Sequence, residues 1–260
     1  MSAANRGPRR LAATVLPPTL TFLGICLVLE ALARFGGLPA YIVPAPSAVI
    51  ETLIDRLPRI LVNSWYTTYV TVVGFAIAVV VGVLLAVGIV SWRPFDRAVS
   101  PLLVVAQVIP KVAIAPILIV YLGYGLEPRI VLAFLIAFFP VVVNTVLGLR
   151  SVDPKLLDLL QSLRATRSQV LFKVRLPNSL PYAVSGAKIA ITLALIGTVV
   201  GEFTAGDFGL GVLIQVTSAQ LDTATTFAAL IALSLIGLIT YWGVGALGGL
   251  IARMQGGRVL

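Results

Sequence analysis

The sequence has no histidine, one cysteine and few charged residues, with Asp, Glu, Lys and Arg at only 11% of its 260 positions. The lack of histidine removes the most common metal ligand and the usual general base near neutral pH. Because Cys26 is the single cysteine, the chain cannot form a disulfide framework. It also lacks a phosphate-binding loop, a Gly-x-Ser-x-Gly motif and a pair of buried carboxylates. These absences argue against an enzyme, and no catalytic or metal-binding residue is predicted.

Hydrophobic residues make up 59% of the sequence, whereas soluble domains average about 45–50%. This composition predicts an integral membrane protein. The formal net charge of +9 could also indicate a nucleic-acid-binding surface. However, the basic residues lie near the ends of long apolar runs, where they orient helices in a bilayer. No nucleic-acid partner is therefore expected.

Six apolar runs predict an all-α membrane protein with six transmembrane helices. The spans are predicted at residues 15–35, 64–91, 102–124, 130–149, 182–203 and 227–251. Pro110 and Pro116 are predicted to break the third span. At ~1.5 Å per residue, each span can cross a hydrocarbon core of about 30 Å. They form one transmembrane domain, 15–252, between short tails at 1–14 and 253–260. The first run could alternatively be a cleaved secretory signal, but it exceeds the roughly 7–15 residues of a signal core.

The distribution of Lys and Arg predicts the orientation of the spans. With both termini inside, the inner segments carry fourteen of the nineteen Lys and Arg residues and the outer segments carry four. Cytoplasmic loops carry the excess of positive charge in membrane proteins. Lys111 lies within a span, and residues 92–99 are expected to form a short inner turn. The sequence therefore predicts a multi-pass membrane protein with both termini in the cytoplasm.

The loop at residues 152–177 differs from the apolar runs on either side of it. Asp153 can cap a helix, and Pro154 suits the first turn. Helical spacing relates four leucines, which predicts a short amphipathic helix with Leu156, Leu159, Leu160 and Leu163 on its apolar face. A second short helix is predicted to end at Pro177. Two explanations fit this pattern: a docking surface for a partner protein, or a basic loop that lies flat on the anionic leaflet.

Several positions in the 152–177 loop match a known pattern, in which Glu-Ala-Ala is followed after three residues by Gly and after nine more by Ile-x-Leu-Pro. The sequence has Asp158-Leu159-Leu160, Arg164 and Val174-x-Leu176-Pro177 at these spacings. It thereby resembles the cytoplasmic coupling loop of binding-protein-dependent ABC importer permeases. The resemblance implies ATPase-coupling roles for Asp158, Leu159, Leu160, Leu163, Arg164, Ala165, Val174, Leu176 and Pro177. Arg164 replaces the glycine that allows the turn between two short helices, so the geometry of this turn is open.

Further matches extend the resemblance from Ser64 to Gly211. They are Pro110-Lys111-Val112-Ala113 with Pro116, Gly123-Tyr124-Gly125, Asn144-Thr145 with Gly148-Leu149, Gly201-Glu202, and Gly209-Leu210-Gly211. Together these segments are similar to the nitrate, sulfonate and taurine branch of the family. That branch also handles some vitamin precursors.

The resemblance implies a type I ABC importer permease fold, a location in the bacterial plasma membrane and a set of partners. The chain is expected to bind no cofactor itself, because ATP and Mg²⁺ would be held by a separate dimer of ATPase subunits. A soluble extracytoplasmic binding protein would deliver the solute, and a second permease copy, identical or closely related, would complete the pathway. The solute is expected to be a small anion such as nitrate, a sulfonate or taurine, moved by alternating access.

Four polar residues within the spans are candidates for the solute pathway or its gate. They are Lys111, Asn144, Thr198 and Glu202. Ionisable side chains at membrane depth are costly and usually face the bundle interior or water. Lys111 suits an anionic solute, although it could instead pair with a carboxylate or reach the interface. Glu202 is either a carboxylate of the gate or a residue hydrogen-bonded to the loop that follows it.

Small residues at positions 74, 78, 82 and 86 fall on one face of the second span. Small side chains at this spacing let two helices approach closely. The pattern favours packing against another span of the same chain, with a dimer interface as the alternative.

Two functions other than ATP-driven import are considered. An ion-coupled secondary transporter commonly has ionisable residues deep in its spans and an internal repeat. Here the ionisable residues within the spans are few, namely Glu30, Lys111, Lys188 and Glu202, and no convincing repeat is evident. A membrane scaffold without a solute pathway is the second alternative.

Overall fold

The structure is a computed structural model that describes residues 8–36, 39 and 41–255, and these residues form helices and no strands. The α-helices are α1 (Pro8–Phe35), α2 (Pro46–Asp55), α3 (Leu57–Ser91), α4 (Arg93–Val108), α5 (Ala115–Leu122), α6 (Leu126–Arg150), α7 (Pro154–Ser162), α8 (Arg167–Val170), α9 (Leu176–Ala205), α10 (Leu210–Ala219) and α11 (Thr223–Gln255). A 3₁₀ segment, Lys111–Ile114, precedes α5, and a π-helical segment, Leu171–Arg175, joins α8 to α9. The all-α prediction is confirmed for this part of the chain. Residues 1–7 and 256–260 of the two predicted tails lie outside it.

Several helices are long and apolar enough to cross a membrane. They are Leu57–Ser91, Leu126–Arg150, Arg167–Ala205 and Thr223–Arg253, which contain the predicted second, fourth, fifth and sixth spans. A bent pair, Arg93–Val108 with Lys111–Leu122, is a fifth if it counts as one span. The first predicted span, 15–35, lies within α1. Because these findings concern the described residues only, the total of six spans remains a prediction.

The third predicted span is not one continuous helix. The sequence predicts a turn at 92–99 and a span at 102–124, but α4 already occupies most of the turn. The helix axis then bends by 84° between α4 and Lys111–Leu122. The break falls where Ile109, which precedes Pro110, is extended (φ −65°, ψ 126°). A residue before proline avoids the helical conformation because the proline ring crowds its backbone.

The 152–177 loop does not end in a separate helix at Pro177. The chain is helical without a break from Arg167 to Ala205, with the π-helical segment Leu171–Arg175 just before the proline. In a regular α-helix, a proline removes one hydrogen bond and its ring meets the carbonyl four residues earlier. The wider π turn changes the bonding pattern at this point. The prediction that Pro177 stops the helix is therefore wrong.

The chain divides into two compact units: the described residues of Met1–Ile60 with Ile214–Ile231, and the described residues of Leu61–Leu213 with Ala232–Leu260. In the second unit, α6 and α9 pack side by side over much of their length. Their shared core with α3 consists mainly of small buried residues, which are Ala78, Ala137, Val141, Ala190 and Ala194. Small side chains permit the close backbone approach on which helix association in a membrane depends.

The stripe of small residues on α3 faces α6. A Cβ added to Gly74 would lie 2.7 Å from the Cβ of Ala133, and one added to Gly82 would lie 2.9 Å from Cγ1 of Val141. Ala78, between them, has no exposed surface. The prediction that this stripe packs within the chain is confirmed.

In the first unit, Asp222 joins the end of α2 to the first turn of α11. Its Oδ2 accepts hydrogen bonds from Nη1 of Arg56 (2.7 Å) and Oγ1 of Thr225 (2.8 Å), and its Oδ1 accepts one from the Thr225 backbone (3.2 Å). Partial burial raises the pKa of Asp222, but the bonds from Thr225 and the Arg56 charge outweigh it, so the pKa lies below its ordinary value. The carboxylate, and with it this ion pair, therefore persists to lower pH than an isolated Asp would allow.

Candidate functional site

The first part of the 152–177 loop is α7, which begins as the sequence predicts. Asp153 Oδ1 accepts a hydrogen bond from the backbone N–H of Lys155 (2.9 Å), and Pro154 occupies the first turn. The carboxylate satisfies one of the N–H groups that have no partner at a helix start, and its charge suits the positive end of the helix dipole. The predicted cap is confirmed.

Arg164 ends α7 in the left-handed conformation, with a φ of 56°. Its N–H donates to Gln161 O (2.9 Å), and the N–H of Ala165 donates to Leu160 O (2.9 Å). These are the two hydrogen bonds of a Schellman turn, which usually has glycine at this position. Arginine here adopts the conformation that glycine adopts freely, at a cost of roughly 1–2 kcal/mol. The turn between the two short helices, whose geometry the sequence leaves open, therefore has the geometry expected with glycine at this position.

A capping box starts α8 directly after this turn. Thr166 Oγ1 accepts a hydrogen bond from the backbone N–H of Gln169 (3.2 Å), and Gln169 Oε1 accepts one from the backbone N–H of Thr166 (2.8 Å). The two reciprocal bonds fix the first turn of the helix. Only Ala165 separates this box from the turn at Arg164, so local hydrogen bonds set the direction of α8 relative to α7.

The leucines of α7 remain largely exposed. Leu156, Leu159 and Leu163 lie on one face and expose 40%, 56% and 70% of their surface, whereas Leu160 is half-buried. Burying a leucine side chain contributes about 1.5–3 kcal/mol. A contiguous apolar face on a loop is typical of a surface that binds a partner.

The other matched positions of the loop turn towards the membrane helices. Val174, Leu176 and Pro177 are half-buried. Nη1 of Arg175 donates to the carbonyl of Leu149 at the end of α6 (3.3 Å). The second part of the loop is therefore attached to the helices, while α7 projects an apolar face.

A buried polar cluster occupies the C-terminal end of α9. Glu202 is 1% exposed. Its Oε1 accepts a hydrogen bond from Oγ1 of Thr67 (2.7 Å), and its Oε2 accepts one from the N–H of Gly211 (2.7 Å). Thr67 Oγ1 in turn accepts a hydrogen bond from the N–H of Leu210 (2.8 Å). One carboxyl group thereby joins α3, α9 and the Gly-Leu-Gly segment.

The close approach of this segment requires glycine at position 209. Its φ is +131°, and an added Cβ would lie 2.2 Å from Cδ of Glu202. The N–H of Gly209 donates to Oδ1 of Asn63 on α3 (2.8 Å). Because only glycine has no Cβ and adopts this conformation freely, the residue lets the backbone lie directly on the carboxyl group.

Arg129 holds the carbonyl groups of the same segment and is 2% exposed. Its Nε and Nη2 donate to Ala205 O (3.2 and 2.8 Å), and its Nη1 donates to Phe208 O (3.0 Å). Ala205 is the last residue of α9, where a positive charge suits the negative end of the helix dipole. Asp207 is exposed and 4.0 Å from Nη2, so this ion pair contributes little.

We use the name loop clamp for one connected group of residues: Thr67, Arg129, Glu202 and the segment 205–211. Arg129 binds carbonyl groups of the segment, while Glu202 and Thr67 bind its N–H groups. Buried backbone needs partners for both kinds of group. The clamp supplies them without help from outside the chain.

Comparison with known proteins assigns the chain to a family. Residues 78–253 match the family described as binding-protein-dependent transport system inner membrane component. The match covers more than half of the sequence. The chain belongs to this family. The resemblance read from the 152–177 loop is confirmed, and the chain is referred to below as the permease.

The permease is similar over most of its length to curated relatives. It is 34% identical over 228 residues to the formylaminopyrimidine transport permease protein ThiX of Halalkalibacterium halodurans, covering 87% of this chain and 90% of that one. It is 35% identical over 244 residues to the riboflavin transport system permease protein RibX of Chloroflexus aurantiacus (92% and 90%). It is 28% identical over 211 residues to the taurine transport system permease protein TauC of Escherichia coli (78% and 77%).

A solved structure has the same fold. The match is to a chain in the inward-facing conformations of the MetNI methionine ABC transporter, with a TM-score of 0.63, and it covers 77% of the permease and 97% of that chain. At 22% identity, this similarity concerns the fold alone. Together with the family assignment, it shows that the permease is a membrane subunit of an ABC importer.

Two of the four predicted pathway residues belong to the loop clamp or adjoin it. Glu202 is the centre of the clamp, and its Oε2 accepts a hydrogen bond from Gly211 in the first turn of α10, directly after the loop that follows α9. Thr198 lies one turn earlier on α9, is fully buried and accepts a hydrogen bond from Oγ1 of Thr71 (2.9 Å). A gating role for either residue stays a prediction.

Lys111 and Asn144 make local contacts outside the clamp. Nζ of Lys111 donates to Gln107 O (2.7 Å) and lies 4.6 Å from the centre of the Phe139 ring. Nδ2 of Asn144 donates to Pro140 O, one turn earlier on α6 (2.8 Å). Lys111 lies at the break between α4 and α5, and in the described chain it forms no ion pair. Contact of either residue with the solute stays a prediction.

Sequence reasoning misses Thr67 and Arg129. Thr67 is one of several threonines in an apolar span, and the charge count assigns Arg129 only to an outer turn. The available signal is the glycine-rich segment 206–211 beside the carboxylate of Glu202. A tightly packed segment of this kind needs buried donors and acceptors, which would have directed attention to polar residues at the ends of neighbouring spans.

No group of three or more Cys, Asp and Glu side chains that could hold a metal ion occurs among the residues that the structure describes. The two features described above bind or position other groups. The loop clamp holds a backbone segment, and α7 presents an apolar face.

Proposed function

We propose that the permease transmits the work of a separate ATPase to a solute pathway through the 152–177 loop. In this proposal the loop binds one subunit of an ATPase dimer, which closes when it binds ATP and Mg²⁺. Closure moves the loop and shifts the pathway between inward-facing and outward-facing states. Nucleotide can favour one state only through contacts that differ between the two, and the loop is where those contacts are made.

The observation that carries this proposal is the exposed apolar face of α7, held by helix caps at both ends. Leu156, Leu159 and Leu163 form the face, and the turn at Arg164 fixes it relative to α8. The helix then continues from Arg167 into α9 without a break. A displacement of α8 is therefore passed on to a membrane-spanning helix without an intervening hinge.

The partners follow from the same proposal. A second permease copy, or a close relative, would complete the pathway, and an extracytoplasmic binding protein would deliver the solute. The family description, which names a binding-protein-dependent system of the inner membrane, supports both the delivery and the location. Both termini would lie in the cytoplasm, in agreement with the count of Lys and Arg.

The pathway residues are part of the proposal. Lys111 would attract the solute at the break between α4 and α5, and Asn144 would offer it an amide. Thr198 and Glu202 would act on the gate indirectly, because Glu202 is bonded within the loop clamp and Thr198 is bonded to Thr71 beside it.

For the solute, similarity favours a heterocyclic compound over a small anion. The relatives at 34% and 35% identity are named for formylaminopyrimidine and riboflavin, whereas the relative at 28% is named for taurine. Both of the first two solutes contain nitrogen heterocycles. We therefore propose a heterocyclic vitamin or vitamin precursor, with the predicted anions, nitrate, sulfonates and taurine, as the competing candidates.

ATP-driven uptake in proteoliposomes tests the proposal. The permease would be purified with its co-purifying ATPase and supplied with the binding protein, as wild type and with Asp158→Lys or Leu159→Asp. We expect either substitution to lower uptake at least about tenfold, which corresponds to ~1.4 kcal/mol of lost coupling. Arg93→Glu, an exposed charge change on α4, is the control and should leave uptake unchanged.

Other outcomes decide against the proposal. Normal ATP-driven uptake by Leu159→Asp would remove the 152–177 loop from the mechanism. Uptake driven by a pH gradient without the ATPase would instead support an ion-coupled transporter, and purified complexes that never contain a binding protein would support a scaffold. Competition by unlabelled pyrimidines, flavins, taurine or nitrate in the same assay separates the candidate solutes.

A further inference from the structure

A second lysine, Lys188, lies where α9 and α11 pack together. α11 comes close to α9 through glycines, since a Cβ added to Gly248 would lie 2.5 Å from the γ carbons of Val184. One turn of α11 earlier, a Cβ added to Gly245 would lie 2.7 Å from Cε and 3.0 Å from Nζ of Lys188. Gly245 therefore leaves the space that the lysine side chain fills.

The ammonium group of Lys188 has an aromatic neighbour but no anionic one. Nζ lies 5.2 Å from the centre of the Tyr241 ring. Across residues 8–36, 39 and 41–255, no Asp or Glu forms an ion pair with Lys188. An aromatic ring attracts a cation but does not replace the three acceptors that an ammonium group can use. A charge at this depth in a span is costly unless it is paired.

The seam between the two helices stays closed at Gly248, but the neighbouring face of α11 is open. A Cβ added to Gly249 would meet nothing within 4 Å, and Arg253, one further turn along α11, is exposed. From Gly245 to Arg253 is about 12 Å at ~1.5 Å per residue. The sequence predicts that this end of α11 lies at the cytoplasmic leaflet, which contains the anionic lipids.

The exposed surface beside the seam is apolar. Leu238, Ile239 and Trp242 of α11 are all exposed. Aliphatic side chains suit contact with acyl chains, and tryptophan is enriched at the level of the lipid headgroups. A molecule that combines an anionic head with an apolar tail therefore matches both parts of this surface.

We propose that the exposed surface beside the α9–α11 seam, between Lys188 and Arg253, binds an anionic phospholipid, whose phosphate group contacts Lys188 and, at the rim, Arg253. Tyr241 and Gly245 place the ammonium group, and the phosphate oxygens accept its N–H bonds. Charge-assisted bonds of this kind are stronger than bonds between neutral groups, and basic sites between helices are known to bind lipid headgroups. The proposal requires neither a particular solute nor contact between the 152–177 loop and an ATPase.

Lipid binding to the full-length chain, measured by native mass spectrometry, tests the proposal. The protein would be released from detergent and titrated with phosphatidylglycerol or phosphatidylcholine of matched acyl chains. We expect a preference for phosphatidylglycerol, reduced about fivefold by Lys188→Gln, which corresponds to ~1 kcal/mol for one basic residue at an anionic surface. Lys188→Arg should retain the preference. Lys155→Gln removes an exposed charge from the 152–177 loop and should not change it.

A second variant covers the case in which Lys188→Gln does not fold. Tyr241→Leu keeps the lysine but removes the ring, and we expect it to lower phosphatidylglycerol binding about twofold. Unchanged binding in Lys188→Gln, or an equal loss in Lys155→Gln, would overturn the proposal. Displacement of phosphatidylglycerol by inorganic phosphate, sulfate or taurine at millimolar concentration would also overturn it, because the seam would then be a site for free anions.

Discussion

The loop clamp buries charged and polar groups and bonds each of them within the chain, whereas the 152–177 loop exposes apolar side chains. In the clamp, Arg129 donates to carbonyl groups of the segment 205–211, and Glu202 accepts hydrogen bonds from Gly211 N–H and Thr67 Oγ1. In the loop, polar side chains cap helix ends and leave Leu159 and Leu163 uncovered. The clamp is complete by itself, and the loop has an unused apolar face. Substitutions in the clamp should therefore change mainly the stability of the protein, and substitutions in the loop should change mainly its binding to a partner.

Both regions contain a backbone position with positive φ, and the surroundings explain why the residues differ. Gly209 lies directly on the carboxyl group of Glu202, so a side chain has no space there. Arg164 is exposed, so only the local backbone strain opposes a side chain. This contrast shows that the same backbone conformation demands glycine in the buried clamp and only favours it in the exposed turn.

Within the two regions compared, the largest effect on stability is expected from Gly209→Ala. The added Cβ both strains the backbone at a φ of +131° and overlaps the carboxyl group of Glu202, so we expect a loss of about 3 kcal/mol in the free energy of unfolding. Unfolding by SDS in mixed micelles measures it. The control is Gly243→Ala, where a Cβ meets nothing within 4 Å, and a gain of up to about 1 kcal/mol is expected. Equal stability of the two variants would contradict a tightly packed clamp.

Arg129→Met should have the second-largest effect. Methionine approximates the length of the side chain but leaves the buried carbonyls of Ala205 and Phe208 without their donors, which should cost about 2–3 kcal/mol. The same unfolding measurement applies. Arg97→Met, an exposed position on α4, should change stability by less than about 0.5 kcal/mol. If Arg97→Met destabilises the protein as much, the loss reflects the missing charge and not the clamp.

Arg164→Gly should stabilise the 152–177 loop by about 1 kcal/mol, because glycine removes the strain of the left-handed conformation. The effect is local, so hydrogen exchange of peptides that contain residues 160–166 is the suitable measurement, and exchange should slow several-fold. Arg167→Gly, within α8, should instead speed exchange, since glycine weakens a helix. Faster exchange in Arg164→Gly would mean that the side chain, and not the backbone, holds the turn.

The smallest effect on stability is expected from Leu159→Ser, below about 0.5 kcal/mol, because this leucine is already exposed. The same substitution at Leu132, which has no exposed surface, should cost about 3 kcal/mol or more. Comparing the two by SDS unfolding separates an unused binding face from a packed core. A large loss in Leu159→Ser would show that α7 is covered within the chain.

Local features of the 152–177 loop were accessible from the sequence because they depend on neighbours in the chain. The cap at Asp153 and the leucine face of α7 need only residues a few positions apart. The continuous helix through Pro177 was missed because a π-helical turn absorbs the proline. The break at Pro110 was predicted, because a proline interrupts the apolar run there, but the bend of 84° was not. Hydrophobicity predicts membrane burial but carries little information on breaks within a span.

By itself, the sequence determined the membrane class, the all-α fold and the short-range helix caps, because composition and helical spacing act locally or as sums over the chain. Only the tertiary structure decided that Thr67, Arg129 and Glu202 hold one segment of backbone, and that Lys188 fits over Gly245. Gly245 and Lys188 lie 57 positions apart in the chain, and Glu202 and Thr67 lie 135 positions apart. Their meeting depends on how the helices pack, which no local pattern encodes.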